Sequence, residues 1–221
     1  MLPHRKSALP LQLDAEAIAR FIQHCSIKTF AAKEFVFRPG DPGGQLIYVI
    51  KGKLSIVTSE SDDEGEQLIL GYMNEGDFIG EASLFVPVET RSVSLLVNEA
   101  AELALIECSE LLDLMQGALA PDAAKLLYSL GTQLSRRLME TSRKASGLAL
   151  LDVAGRLWRA LEDLTHQPGA MTHPRGIQIK TSRQELARIA GCSREMAGRV
   201  IRQFVSEGRM SAAGKTMVLF R

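Results

Sequence analysis

The chain has 221 residues, 46% of them apolar and 24% charged, and its 26 Lys+Arg balance 26 Asp+Glu. That length serves one large or two modest domains, each with its own core. No run approaches the ~20 apolar residues of a membrane span, and the basic start "MLPHRK" leads into acidic, interrupted sequence, so a cytoplasmic protein with no membrane partner is expected.

Neutrality hides an asymmetry. Residues 1–110 carry 9 Lys+Arg against 17 Asp+Glu, residues 111–170 carry 7 against 6, and residues 171–221 carry 10 against 3. An acidic front and a basic tail suit a protein that meets a polyanion with its tail alone. Cys25, Cys108 and Cys192 are odd in number and far apart, which fits neither a disulfide framework nor a zinc or iron-sulfur site. His4, His24, His166 and His173 make no ligand set, and no Walker loop, Ser/His/Asp grouping or paired-carboxylate motif is present. No metal and no enzymatic activity are expected.

In chain order, residues 14–24, "DAEAIARFIQH", read as a short helix. From Phe35 to about Glu107, short apolar runs alternate with turn signals: "FVF", "RPGDPGG", "LIYVI", "KGK", "LSIVT", "SESDDEGEQ", "LILGYM", "NEGDFIGE". Strands of four to six residues at this spacing predict an antiparallel barrel or roll, with room for a ligand between its walls. Residues 121–150 lack internal proline and are rich in helix formers. Leu127, Gly131, Leu134, Leu138, Thr141, Ala145 and Leu148 alternate spacings of four and three, a heptad seam that predicts packing against a second copy; burial against the roll is the alternative. A helix over "LDVAGRLWRALEDLTHQ" follows, ending at Pro168, and the loop "PGAMTHPRG" leads to a short strand, "IQIK".

Ser182 then begins "SRQE", a capping box in which Ser182 and Glu185 satisfy each other's helix-end N–H groups. Ala187 and Gly191 allow a tight helix crossing, and Ser193 caps the next helix. In that second helix Ala197, Val200, Ile201 and Phe204 form a core stripe, leaving Glu195, Arg199 and Arg202 on the opposite face. A Glu195–Arg199 salt bridge would explain two of these charges. A helix-turn-helix explains them all, because the start of its second helix enters the major groove and places Arg194, Glu195 and Arg199 at base edges. The closing "MSAAGKTMVLF" reads as a β-hairpin wing.

The motifs "GDFIGEASLF", "RSV" at 91–93, "RRLMETSRKA", "LDVAGRL", "AMTHPRG", "SRQELARIAGCSREMAGRV" and "GKTMV" together resemble the cyclic-AMP receptor / fumarate-nitrate regulator family of bacterial transcription factors, over nearly the whole chain. The resemblance implies an α+β protein: an N-terminal antiparallel β-roll that binds a cyclic nucleotide (1–120), a long dimerisation helix (121–150) and a C-terminal winged helix-turn-helix (151–221). Gly80 and Glu81 correspond to the family's ribose-contacting turn, Arg91 and Ser92 to the pair gripping the cyclic phosphate, and Thr141 and Ser142 to the helix residues meeting the base, Ser142 from across the dimer. A guanidinium forking onto two phosphate oxygens suits that role. Plainer roles are an Arg91–Glu89 pair, Glu81 as a turn residue, and Thr141 as a tolerated polar seam position.

The family also implies a palindromic, double-stranded DNA site with TGTGA-like half-sites. Arg194 and Arg199 would donate to guanine and Glu195 would accept from cytosine, while Ser182, Arg183, Gln184, Ser193 and Lys215 hold phosphates. Thr172, in "AMTHPRG", matches a contact for RNA polymerase. At a second polymerase contact, where basic residues are expected, Ser26 and Glu110 stand, and only Lys28 is basic. Cyclic AMP is the favoured effector. Cyclic di-GMP with unliganded DNA binding is the alternative, since "FRPGDP" and "SREMAGRV" look close to that branch. A nucleotide sensor acting on a protein partner is a further one.

Overall fold

The computed structural model describes residues 13–58 and 68–220. The start "MLPHRK" and the acidic stretch 59–67, expected as a turn, lie outside the described residues. The chain divides into two compact units, Met1–Ile56 with Gly71–Glu140, and Val57–Leu70 with Thr141–Arg221.

The first unit begins with helix α1, Ala15–Ile22, whose first turn is closed by the Asp14 carboxylate accepting from the Ala17 N–H at 2.8 Å. Strands β1 (Ser26–Phe30), β2 (Phe35–Phe37), β3 (Gln45–Thr58), β4 (Leu68–Met73), β5 (Phe78–Ile79) and β6 (Ser94–Glu107) build one sheet in the order β1-β6-β3-β4, with β2 on β6 and β5 on β3. Strands β1, β2 and β5 pair antiparallel with their neighbours. "KGK" does not divide two strands as expected: β3 runs through it. Gly52, at φ 106°, absorbs the bend, and a side chain there would strike Ala100 and Ala101 of β6.

"LIYVI" is continuously apolar because both faces of β3 are covered. Ile47 and Val49 join Leu54, Leu95, Leu103 and Leu105 on one side. Leu46 and Tyr48 join Phe21, Phe78, Leu111, Leu126 and Leu130 on the other. The second cluster takes its residues from α1, from α2 (Cys108–Gln116, a helix with no clear sequence signal) and from the first turns of α3 (Ala123–Leu150).

The face of α3 turned to the roll is therefore not the heptad seam but Leu126, Leu130, Gln133 and Arg137. The seam residues Leu127 and Leu138 are 43% and 69% exposed, and Met139 beside them is also 69% exposed. The side chain of Leu148 is outside the described residues.

In the second unit, α4 (Val153–Thr165) is capped by Asp152, α5 (Arg183–Ala190) by Ser182 and α6 (Arg194–Ser206) by Ser193. The Ser182 hydroxyl accepts from the Glu185 N–H at 3.1 Å, as expected, while the Glu185 carboxylate accepts from the Thr181 hydroxyl at 3.0 Å. Gly191, in the left-handed conformation at φ 61°, ends α5. A four-stranded antiparallel sheet, β7-β8-β10-β9, supplies the wing, with β9 (Met210–Ala213) and β10 (Thr216–Phe220) as its hairpin. The stretch expected as a plain loop before "IQIK" holds strand β7 (Met171–His173), hairpinned onto β8 (Gly176–Lys180). No helix among the described residues is long and apolar enough to cross a membrane.

Candidate nucleotide cassette and nucleic-acid interface

Strand β5 delivers the chain to Gly80, which at φ 84° opens a 3-10 turn, Glu81–Leu84. Only glycine fits: a Cβ there would sit 2.3 Å from the Gln45 carbonyl oxygen and 2.7 Å from Arg91 Nη1. The loop carrying Arg91 is pinned to the 40–43 turn. Arg91 N–H donates to the Asp41 carbonyl at 2.8 Å, Gly40 N–H to the Arg91 carbonyl at 2.9 Å and Gly43 N–H to the Glu89 carbonyl at 2.8 Å.

Arg91 is only 8% exposed. Its Nη2 donates to the Gln45 carbonyl at 2.8 Å and its guanidinium lies 4.5 Å from the centre of the Phe37 ring, but its Nε is buried without a partner. Glu89 does not pair with it, and among the described residues no carboxylate comes within ion-pair distance. Burial pulls its pKa below the usual guanidinium value. Ser92, next to it, is exposed.

Glu81 is more than a turn residue. It is 7% exposed, and its carboxylate accepts from Arg137 Nη1 at 2.5 Å. Arg137 Nη2 also donates to the Phe78 carbonyl, and the Gln133 side-chain oxygen accepts from the Phe78 N–H at 2.9 Å. Arg137, Gln133 and Gln45 were not singled out from sequence. The spacing of Leu126, Leu130, Gln133 and Arg137, a second stripe beside the heptad seam, is the signal that marks two of them. Thr141 and Ser142 are exposed on α3 and belong to the second unit.

On α6, burial of Ala197, Val200, Ile201 and Phe204 turns Arg194, Glu195, Arg199 and Arg202 outward. They line a shallow concavity of about 660 Å³ with Arg183, Gln184, Ser193 and Gly198: four arginines against one glutamate. Among the described residues neither Glu195 nor Arg199 has an ion-pair partner, so the local salt bridge is not formed. The Ser182 hydroxyl accepts its capping bond and keeps its own O–H as a donor. Lys215 is exposed at the wing turn, its carbonyl accepting from the Thr181 N–H at 2.8 Å beside the start of α5. Arg202 and Gly198 belong to this concavity although the sequence reading did not place them at DNA. Thr172 is exposed on β7.

The thiols offer no reactive centre: burial pushes Cys25 to about 12 and Cys108 to about 11 and raises Cys192. No cluster of His, Cys, Asp or Glu among the described residues is arranged to hold a metal.

Comparison with known proteins matches residues 27–118 to the cyclic nucleotide-binding domain and residues 155–220 to the Crp-like helix-turn-helix domain. The CRP-like protein Clp of Xanthomonas oryzae pv. oryzae (strain PXO99A) is 50% identical over 216 residues, covering 98% of this chain and 93% of that protein. Its counterpart in Xanthomonas campestris pv. campestris (strain B100) is 49% identical over the same length. Among solved structures, the c-di-GMP responsive global regulator CLP, described as linking cell-cell signaling to virulence gene expression in Xanthomonas campestris, superposes with a TM-score of 0.86 at 50% identity. That match covers 94% of this chain and 100% of CLP. A CRP/FNR-family transcriptional regulator from Thermus thermophilus matches with a TM-score of 0.70 at 25% identity, over 89% of this chain and 94% of that one.

Proposed function

Because the chain belongs to the CRP/FNR family of cyclic nucleotide-binding, helix-turn-helix transcription regulators, and is not an enzyme, we propose that it works in the cytoplasm as a homodimer whose grip on a palindromic DNA site is set by a cyclic nucleotide. Residues 1–120 bind the nucleotide, 121–150 dimerise and 151–221 bind DNA. The observation that carries the ligand half is Arg91: a guanidinium buried to 8% exposure with an unpartnered Nε lacks the anion that would repay its desolvation. A cyclic phosphate supplies that anion, with Ser92 donating beside it and Gly80 and Glu81 at the ribose.

The exposed seam of α3 supports the dimer, because Leu127, Leu138 and the adjacent Met139 together leave apolar surface uncovered along one helix. In the dimer Thr141 and the partner's Ser142 meet the base, and two α6 helices about 34 Å apart read two half-sites. Arg194 and Arg199 donate to guanine O6 and N7, Glu195 accepts from cytosine N4, and Ser182, Arg183, Gln184, Ser193 and Lys215 set register on phosphates. Activation runs through Thr172 touching RNA polymerase. T172A should reduce transcription from upstream sites in a reconstituted assay while DNA affinity stays unchanged; a parallel loss of DNA binding would make the hairpin structural.

Cyclic AMP fits Glu81, Arg91, Ser92, Thr141 and Ser142 together. Cyclic di-GMP is favoured by one observation, the 50% identity to a regulator described as c-di-GMP responsive. Titration calorimetry with each nucleotide, followed by operator binding with and without it, separates the readings. Binding of cyclic AMP that tightens operator binding supports the first. Cyclic di-GMP that loosens an already bound operator supports the second. Binding of neither defeats the cassette, and nucleotide binding with no salt-dependent DNA binding would leave a sensor for a protein partner.

A further inference from the structure

Arg156, one turn into α4, takes no part in the concavity or the cassette, yet all three of its guanidinium nitrogens donate to backbone carbonyls. Nε bonds the Ala190 carbonyl at 2.8 Å and Nη2 the Gly191 carbonyl at 3.3 Å, so one edge of the fork closes the C-terminal end of α5. Those carbonyls have no partner within their own helix, and a cation there also meets the negative end of its dipole. Nη1 points elsewhere, to the Leu151 carbonyl at 3.1 Å. Leu151 is where α3 hands over to α4: its N–H still bonds the Gly147 carbonyl at 3.0 Å, and Asp152 caps α4 by accepting from the Gly155 N–H at 2.7 Å.

Two further arginines brace the same junction. Arg143, on the last turns of α3, pairs with Asp163 of α4 at 2.7 Å, and Arg159 of α4 donates back to the Arg143 carbonyl at 3.4 Å. Gly147 makes room for that return, since a Cβ there would lie 2.9 Å from Arg159 Nη1. Of these three arginines only Arg156 reaches the helix-turn-helix, and it does so at Gly191, three residues before Arg194.

We infer that Arg156 is a positioning residue for DNA recognition, fastening the turn between α5 and α6 to the end of the dimerisation helix so that the two recognition helices of a dimer keep the separation a two-half-site operator requires. The inference rests on the dimeric DNA-binding reading above. A planar fork is needed, because a lysine ammonium at this place carries the charge but cannot span carbonyls on two sides at once. Both half-sites are engaged together only if the angle between α3 and α6 holds, so loosening this clasp removes the gain of the second contact and leaves the first intact.

The test compares full-length wild type, R156Q and R156K on a duplex with two TGTGA half-sites about 10 base pairs apart centre to centre and on a duplex with one. Wild type should favour the two-site duplex by at least about tenfold. R156Q and R156K should lose most of that margin while single-site affinity stays within about twofold. Equal loss on both duplexes would make Arg156 a residue of ordinary stability, and R156K matching wild type would reduce its role to charge; either overturns the inference. A second readout needs no DNA. Amide exchange at Cys192, whose N–H bonds the Ala187 carbonyl at 3.0 Å, should quicken by about tenfold in R156Q, with exchange in β3 and β6 unchanged. Unchanged exchange overturns the clasp itself, whereas fast exchange with a wild type lacking any two-site preference would count against the dimeric reading instead.

Discussion

Replacing Arg91 by Met removes a buried charge while keeping most of the aliphatic stem, and the structure supplies both sides of the resulting balance. In the unliganded protein the substitution deletes an unsatisfied buried donor, whose desolvation costs about 1–3 kcal/mol. It also forfeits the bond to the Gln45 carbonyl, about 1 kcal/mol, and the contact with the Phe37 ring, about 0.5–1 kcal/mol. The two sides nearly cancel, so R91M should unfold within about 1 kcal/mol of wild type, where breaking a true buried ion pair would cost about 3–5 kcal/mol. Ligand binding behaves otherwise. Two charge-assisted bonds to a cyclic phosphate at about 1.5–3 kcal/mol each correspond to roughly 10²- to 10⁴-fold in Kd.

Thermal unfolding with and without nucleotide reads both quantities at once. At a nucleotide concentration of about 100 Kd, wild type gains about 2.7 kcal/mol, or about 5–11 °C in Tm for a chain of this length. R91M should start from nearly the same Tm and gain less than about 2 °C. A loss of about 3 kcal/mol or more without ligand, or an undiminished ligand shift, would refute the view that this guanidinium waits for an anion.

The seam, the recognition helix and the ion pairs of the first unit each carry a prediction. T141L makes the exposed α3 seam more apolar and should keep a dimer while relaxing the nucleotide requirement for operator binding; an unchanged requirement in a binding titration would show that the switch does not run through the seam. R199A should cost about 1–3 kcal/mol on the best operator and relax preference at one base pair, measured by anisotropy on a panel of single substitutions, and uniform loss across the panel would deny it a base-reading role. Asp122, 2% exposed, accepts from Arg20 at 2.7 and 2.9 Å, and this bond holds its carboxyl below the ordinary value of 3.8. Its contribution is therefore complete above that value and lost as pH falls through the lower folded one. D122N should melt below wild type at pH 6 and converge with it in acid; curves that stay parallel would show the pair to be idle.

Much of this molecule is written in short-range signals. Gly191 in the left-handed region, the capping hydroxyls of Ser182 and Ser193 and the stripe Ala197, Val200, Ile201, Phe204 specify a helix-turn-helix within about twenty residues, because backbone sterics and helix-end bonding act over one or two turns. The same holds for the wing hairpin and for the run of strands with glycine turns. What periodicity cannot state is the identity of a partner. It marks two stripes on α3, and only packing decided that Leu126, Leu130, Gln133 and Arg137 meet the roll while Leu127 and Leu138 stay exposed.

The bond from Arg91 Nη2 to Gln45, the bond from Arg137 to Glu81 and the clasp of Arg156 join residues 46, 56 and 35 positions apart (Gln45–Arg91, Glu81–Arg137, Arg156–Gly191), and no local pattern encodes such a meeting. Even "KGK", by composition a turn, became the middle of a 14-residue strand because β6 lies close enough to Gly52 to keep the ladder going. Local sequence chose the elements, through steric and helix-end energies spent within a few residues. The tertiary structure chose their neighbours, because the desolvation of a buried face or charge depends on what the distant chain brings to it.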